Sequence, residues 1–556
     1  MVSSVNNPAI AMAEKPPSLE KEPMADVEVG IAVTDEKDDR PGEGFGEVSD
    51  LKRGLKQRHI QMIALAGTIG TGLFLSSGKA IARGGPVGTV IAYTVVGLLV
   101  STIVFAIAEL SALVPLSGGI IRPAEYFFDP ALGFAQGWNT TYATAMLLPS
   151  EMVACAVIIR YWTEQVNNAV WITILGFLLL VSNMFFVGVY GELEFICAIL
   201  KILLVVGSVI MGIVVDLGGG PKGHRLGFQY WKNPGPFVQY LGISGSWGQF
   251  LGFWRVMGSA VYSFSNVENI SVAAAETENP RRNIPKAAKR VFVRVLLFYI
   301  TSMFVVSLVV ASNDPGLSKS AGDASASPFV LAASSSGIHV VPSIINAVVL
   351  TSAWSAGNSA MLGGSRVLYG LAREGHAPKI FTRTSRFGIP YVAVLSIGLF
   401  MVLGYMTLED SASTVFDWFQ DLVSAATYVH WIIIAIVYLR FYYGCKKQNI
   451  SRDELPWKSP FQPYATWVAL VSFTILLLTG GYTVFLHGEW DAETFVSNYF
   501  NIPLIFALYF GYKVFRKTKM VSLEEMPIRR FIEIYQDNPE PPEEPKKGWR
   551  KLNILW

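Results

Sequence analysis

The chain has 556 residues, 52% of them hydrophobic and only 15% charged, with a mean hydropathy of +0.41. Separate apolar runs of spanning length recur along it, which marks a polytopic helical membrane protein and sets soluble domain counting aside. A net charge of +2 gives no case for nucleic acid, and the scattered Cys155, Cys197 and Cys445 suggest neither a disulfide framework nor a zinc site.

Residues 1–50 are polar and charged, contain Pro and Gly, and lack the apolar core of a signal peptide. They are expected to form a disordered tail. Twelve apolar runs follow, near 59–79, 88–113, 134–160, 171–188, 193–215, 253–275, 291–312, 340–368, 389–407, 415–439, 465–487 and 497–514. We number them spans 1 to 12. Pro149 and Pro503 fall inside spans and are expected to kink them, since neighbouring helices satisfy the freed backbone groups.

Span 1 is apolar enough for a membrane helix, yet Gly67, Gly70, Gly72 and two threonines interrupt its middle. Glycines weaken a helix and let backbone come close to a ligand. Unwound backbone at membrane depth is tolerated only where protein or a cavity surrounds it. Such a break aims free N–H groups at an anion such as a carboxylate. The competing reading is a glycine-rich face for helix packing. A phosphate loop is excluded, because no strand precedes the glycines.

Lysine and arginine orient the chain. Lys52, Arg53, Lys56 and Arg58 precede span 1, and Arg281, Arg282, Lys286, Lys289, Arg290 and Arg294 lie between spans 6 and 7. Arg373, Lys379, Arg383 and Arg386 follow span 8, and Lys446, Lys447, Arg452 and Lys458 follow span 10. With twelve spans these loops share one side, which is the cytoplasmic one, and both termini join them there. Asn139, Asn269 and Asn449 head N-x-S/T sequons but fall in spans or a cytoplasmic loop, so none is expected to be glycosylated.

Ionisable residues inside the membrane are costly and mark function or internal ion pairs. Glu151 lies midway along span 3, Glu268 in span 6, Lys201 in span 5 and Glu109 near the cytoplasmic end of span 2. Span 6 repeats the interruption of span 1, with Ser265, Asn266 and Asn269 flanking Glu268. Interrupted segments at corresponding positions of two five-helix sets point to a transporter's binding site. Span 8 adds Trp354 and Asn358 on one helix face, beside Ser355, with ordinary helix packing as the alternative.

The strings Gly67-Thr-Ile-Gly-Thr-Gly-Leu-Phe, Gly133-Phe-Ala-Gln-Gly-Trp-Asn, Ala275-Glu-Thr-Glu-Asn-Pro-Arg-Arg-Asn-Ile-Pro-Lys and Ser352-Ala-Trp-Ser-Ala-Gly-Asn-Ser carry a resemblance. So do Ser365-Arg-Val-Leu-Tyr-Gly-Leu-Ala and Ala377-Pro-Lys-Ile-Phe. From about Leu51 onward the chain resembles the fungal amino-acid permeases of the amino acid–polyamine–organocation superfamily. That resemblance implies an all-α membrane protein with a LeuT-like 5+5 inverted repeat plus two helices. It implies proton-coupled import of amino acids at the plasma membrane. The expected organisation is a cytoplasmic tail over 1–50, the transporter domain over 51–514 and a second cytoplasmic tail over 515–556, where ubiquitin-ligase adaptors could dock. No cofactor or metal is implied.

The resemblance also assigns roles. The substrate carboxylate is expected at the N–H groups of Thr71, Gly72 and Leu73, with Ile69 and Gly70 in the same break. The amine is expected at span 6 carbonyls from Tyr262 to Ser265, with Phe264 as a gate and Glu268 holding the break or balancing the amine. Trp354 completes the site. Lys201 matches a span 5 lysine of the superfamily that occupies a sodium position, tying spans 1, 5 and 8. Either Lys201 or Glu151 would carry the coupling proton. One departure stands out: Asn266 replaces a usual glycine, where its side chain could narrow the pocket or bond the substrate. Arg225-Leu-Gly-Phe-Gln-Tyr-Trp and Ser327-Pro-Phe-Val are similar to proline-type and other neutral amino-acid permeases, with a broad-range or basic permease as alternatives. A non-transporting sensor would keep the same site; an enzyme would need a nucleophile–base or metal cluster that the sequence lacks.

Overall fold

A computed structural model describes residues 70–114, 119–185, 187–221, 223–268, 279–318, 327–386 and 388–540. These belong to one unit, Val48–Trp556. Every regular element among them is helical. The helices are α1 (Ser77–Leu113), α2 (Ile121–Phe127), α3 (Pro130–Ile159), α4 (Asn168–Phe185), α5 (Val187–Asp216), α6 (Gly245–Phe264), α7 (Pro280–Arg294) and α8 (Thr301–Val309). They continue as α9 (Pro328–Ser335), α10 (Val341–Arg373), α11 (Tyr391–Leu399), α12 (Ala412–Lys447), α13 (Tyr464–Thr479), α14 (Ala492–Tyr499), α15 (Asn501–Arg516) and α16 (Ile528–Asp537). Shorter helical segments, among them the nine-residue stretch Phe400–Leu408, complete the connections.

Six helical stretches among the described residues are long and apolar enough to cross a membrane: Gly72–Leu113, Pro130–Ile159, Glu192–Asp216, Pro280–Val309, Tyr391–Leu408 and Ala412–Lys447. Asn168–Met184 and Tyr464–Thr479 are shorter apolar helices. The first stretch is 42 residues long, about 60 Å at the α-helical rise and twice a bilayer core. It is broken at Gly85, whose φ of 75° and ψ of 173° are closed to side-chain-bearing residues. Pro86 follows, and the Val87 N–H beyond the break donates to the Pro236 carbonyl at 3.0 Å. A Cβ on Gly85 would stand 2.7 Å from that same oxygen. From Gly72 onward, the described residues of spans 1 and 2 thus run through one continuous element with a sharp joint.

The core does not follow apolarity: the window of α3 has a mean hydropathy of 1.7 and that of Glu192–Asp216 has 2.7. The apolar window of α3 is 83% buried inside the protein, whereas that of Glu192–Asp216 is 39% buried. In lipid, polar and ionisable side chains turn into the bundle, and α3, which buries Gln136, Asn139, Ser150 and Glu151, packs against α10, α12 and α15. The outer face of α5 exposes Leu203 and Ile210, as a lipid-facing surface would. Asp129 caps α3 by accepting from the Ala131 N–H at 2.9 Å, with Pro130 in the first turn. Burial opposes ionisation of Asp129, but hydrogen bonds from Lys513, Ala131 and Thr518 outweigh it and hold the carboxyl below its ordinary range.

Pro149 does lie inside α3. Pro503 does not kink a span: α14 ends at Tyr499, α15 starts at Asn501, and Pro503 occupies the first turn of α15, where its missing N–H costs nothing. Beyond the last apolar run, α16 buries Ile528, Phe531 and Ile532, and the Phe531 ring meets Tyr126 and Phe127 of α2.

Candidate functional site

The start of one described helix and the end of another meet beside α3. The first is a π-helical turn, Gly72–Ser76, leading into α1. Such wide turns arise where ordinary i→i−4 bonding is disturbed and are frequent at functional sites. The second is the end of α6 at Phe264. There the Ser265 N–H and hydroxyl both donate to the Tyr262 carbonyl, at 3.2 and 2.8 Å, and Asn266 adopts φ 66°. Left-handed backbone suits glycine best and asparagine next, so Asn266 keeps the conformation that the family glycine would take.

Glu151 of α3 stands where these two breaks converge. Its Oε1 accepts from the Thr71 hydroxyl at 3.1 Å. The Thr71 hydroxyl also lies 3.3 Å from the Tyr262 hydroxyl, which is 3.0 Å from Ser150 Oγ. Thr71, Ser150, Glu151 and Tyr262 are all buried. Glu151 Oε2 is buried, and among the described residues it has no hydrogen-bond partner. A carboxylate half satisfied in a dry interior is costly unless a ligand or proton completes it. Phe416 of α12 closes the far side of Tyr262 in an edge contact at 6.0 Å, and Ser76 donates to Gln420 of α12 at 2.5 Å.

The glycines here have distinct reasons. A Cβ on Gly70 would stand 3.5 Å from Glu151 Oε1, in ordinary contact. A Cβ on Gly72 would stand 2.6 Å from Ser263 Cα, so Gly72 is needed where the π-turn crosses the backbone of α6. Leu73 is buried beside it. Phe264 is buried against Tyr299 and Tyr93, with ring centroids 4.6 and 6.1 Å away, and Tyr93 OH meets Ser263 Oγ at 3.0 Å. Ile69 lies outside the described residues.

The other expected site residues sit around this centre. Glu268 accepts from Trp431 of α12 at 3.2 Å. Trp354 turns to α4 and donates to the Leu175 carbonyl at 3.3 Å, while Asn358 accepts from Asn183 at 2.5 Å. Lys201 donates to Ser355 of α10 at 3.0 Å, which joins spans 5 and 8. The contact expected with span 1 would involve chain before Gly70, outside the described residues. Glu109 is fully engaged: Arg452 binds both its oxygens, and Tyr438 and Ser459 donate to Oε2.

Several residues escaped sequence reading. Glu194, one residue inside the expected start of span 5, lies 3.7 Å from Lys201 Nζ and accepts from Ser355 at 2.6 Å. Its spacing of seven from Lys201 was the available signal, since long side chains on a helix reach back towards its N-terminus. Ser150 and Gln420 look like ordinary polar residues until the fold brings them to Tyr262 and Ser76. Asp417, near the start of span 10, lies in α12 and pairs with Lys79 and Arg83 of α1.

The amino acid permease family model matches residues 59–525. A proline-specific permease of Emericella nidulans is 42% identical over 86% of this chain and 88% of its own length. A dicarboxylic amino acid permease of Saccharomyces cerevisiae is 38% identical over 90% of this chain and 83% of its own. A solved structure of a manganese transporter from Eremococcus coleocola superposes with a TM-score of 0.55 at 13% identity, covering 86% of this chain and 95% of that one, and shares the fold alone. The chain belongs to the amino acid permease family, a transporter of the multi-pass membrane class and not an enzyme.

Proposed function

We propose that this permease imports a neutral amino acid such as proline, together with a proton, by alternating access at the plasma membrane. Twelve spans form a 5+5 inverted repeat plus two, with both termini cytoplasmic. The observation that carries the reading is the buried meeting of the Gly72 π-turn, the end of α6 and the half-satisfied Glu151 carboxyl. The substrate carboxylate is held by N–H groups of Thr71, Gly72 and Leu73, with Ile69 and Gly70 shaping the same break. Its amine or imino group meets α6 carbonyls between Ser263 and Ser265 and the free side of Glu151. Tyr262 and Ser150 fix the Thr71 hydroxyl. Phe264, Asn266, Glu268 and Trp354 border the pocket. The 42%-identical proline-specific relative supports a neutral substrate.

Radiolabelled uptake by permease-deficient cells, competed with each proteinogenic amino acid at several pH values, tests this reading. Proline and similar neutral amino acids should compete, and uptake should rise as external pH falls. Competition by acidic or basic amino acids alone, or a flat pH profile, contradicts it.

A further inference from the structure

A cavity of about 600 Å³ lies away from the substrate site, between the start of α7, the segment after α12 and the end of α16. That is the size of an ordinary small-ligand pocket. α7 supplies its charge. Ile284, Ala288 and Val291 recur at i, i+4 and i+7 and are buried, as α7 packs against α1. Arg282, Lys286 and Lys289 recur at the same spacing on another face, and with Arg281 they line the cavity. Like charges at that spacing repel, and an anion among them offsets the repulsion.

Among the described residues that line the cavity, four are basic and one, Glu540, is acidic, a formal charge of +3. Glu540 is engaged at the helix start, where its carboxylate accepts from the Arg281 N–H at 2.8 Å. The Arg281 guanidinium donates to the Asn538 carbonyl at 2.7 Å and lies 5.2 Å over the Tyr535 ring. Its Nε is buried and has no hydrogen-bond partner among the described residues. Trp457 forms another wall, and its ring meets Phe105 of α1 at 6.1 Å. Past Arg294 the chain turns apolar, so the cations stand where lipid headgroups lie.

We propose that this cavity binds a multiply phosphorylated inositol headgroup. Arginine and lysine are the side chains that hold phosphate. Arg281 and Lys289 are eight residues apart, about 12 Å along the helix axis. Phosphates on separate carbons of one ring cover more of that spread than a single phosphate does. The headgroup of a membrane lipid and a soluble inositol phosphate share this chemistry.

Purified full-length permease in phosphatidylcholine nanodiscs tests it. Phosphatidylinositol bisphosphate in the disc should raise thermal stability, and phosphatidylserine at equal total charge should not. Soluble inositol trisphosphate and inorganic phosphate are titrated calorimetrically against discs of phosphatidylcholine alone. Binding of the trisphosphate shows that the ring phosphates suffice; action of the lipid alone shows that the membrane supplies the ligand. Either result supports the site when Lys286→Gln and Lys289→Gln each raise the concentration required about fivefold, the effect of one cation near a headgroup. Lys289 is exposed, so Lys289→Gln should fold as wild type does, and Lys289→Arg should keep the affinity. Equal effects of phosphatidylserine, or inorganic phosphate binding as tightly as the trisphosphate, overturn recognition of several phosphates. Wild-type responses in both glutamine variants, or no response to any probe, overturn the site.

Discussion

Glu109 and Glu151 are both buried glutamates on membrane helices, and their surroundings could hardly differ more. Glu109 has an arginine on both oxygens, two hydroxyls and a backbone N–H. Glu151 has the Thr71 hydroxyl on one oxygen and, among the described residues, no hydrogen-bond partner on the other. The first carboxylate fastens α1 to the segment after α12. The second is left open where the end of α6 meets the Gly72–Ser76 π-turn. Burial alone therefore does not tell the two apart; unspent hydrogen-bonding capacity beside irregular backbone does.

The largest effect should come from breaking the closed glutamate. Glu109→Ala leaves Arg452 facing a buried cluster without its counter-ion, and such a loss costs about 3–5 kcal/mol. We expect most of the variant to be missing from the membrane fraction, measured by fluorescence-detected size exclusion. Near-normal yield would show that Glu109 is no more structural than Glu151.

Gly72→Val should come next. Its Cβ would meet Ser263 Cα at 2.6 Å, and overpacking of this kind costs about 1–3 kcal/mol. Uptake should be abolished, and thermal stability in detergent should fall as well. Lost uptake with unchanged stability would move Gly72 from helix crossing to ligand approach, the role expected from sequence.

A third test lies outside the membrane, where His376 faces Glu125 and Glu374 at 3.7 Å. Burial, with Arg122 and Arg516 adding to it, lowers the His376 pKa to about 4. An unfolded histidine titrates near about 6.5, so between these values only the unfolded chain takes up the proton. Stability should accordingly be full above pH about 6.5 and fall as pH drops towards about 4. His376→Gln should flatten thermal stability across that window. An equally steep fall in the variant would assign the effect to other groups.

Asn266→Gly should have the smallest effect. The φ of 66° suits glycine, so stability should change by less than about 1 kcal/mol. The competition profile of the same variant shows whether the asparagine side chain also borders the substrate.

Much of this fold is visible in sequence because membrane helices must be apolar over a fixed length. The Ser265–Asn266 interruption locates the end of α6, Gly72 of span 1 opens a π-turn, and Glu151 and Lys201 stand out as charges in apolar runs. The Gly85–Pro86 joint was less visible, since two adjoining apolar runs look alike whether a loop or a bent helix joins them. Glu194 was missed because a glutamate at a span's edge looks solvated until its distance to Lys201 is known. The reason for Gly72 lies in Ser263, some 190 residues away, and no local pattern reports such a crossing.

The central claim is that the open side of Glu151 receives the substrate. Binding of radiolabelled proline to purified protein, wild type against Glu151→Gln, tests it most directly once both elute as single species. We expect affinity to fall at least about tenfold, or about 1.4 kcal/mol, in Glu151→Gln with its thermal stability retained. Wild-type affinity in that variant would contradict the account.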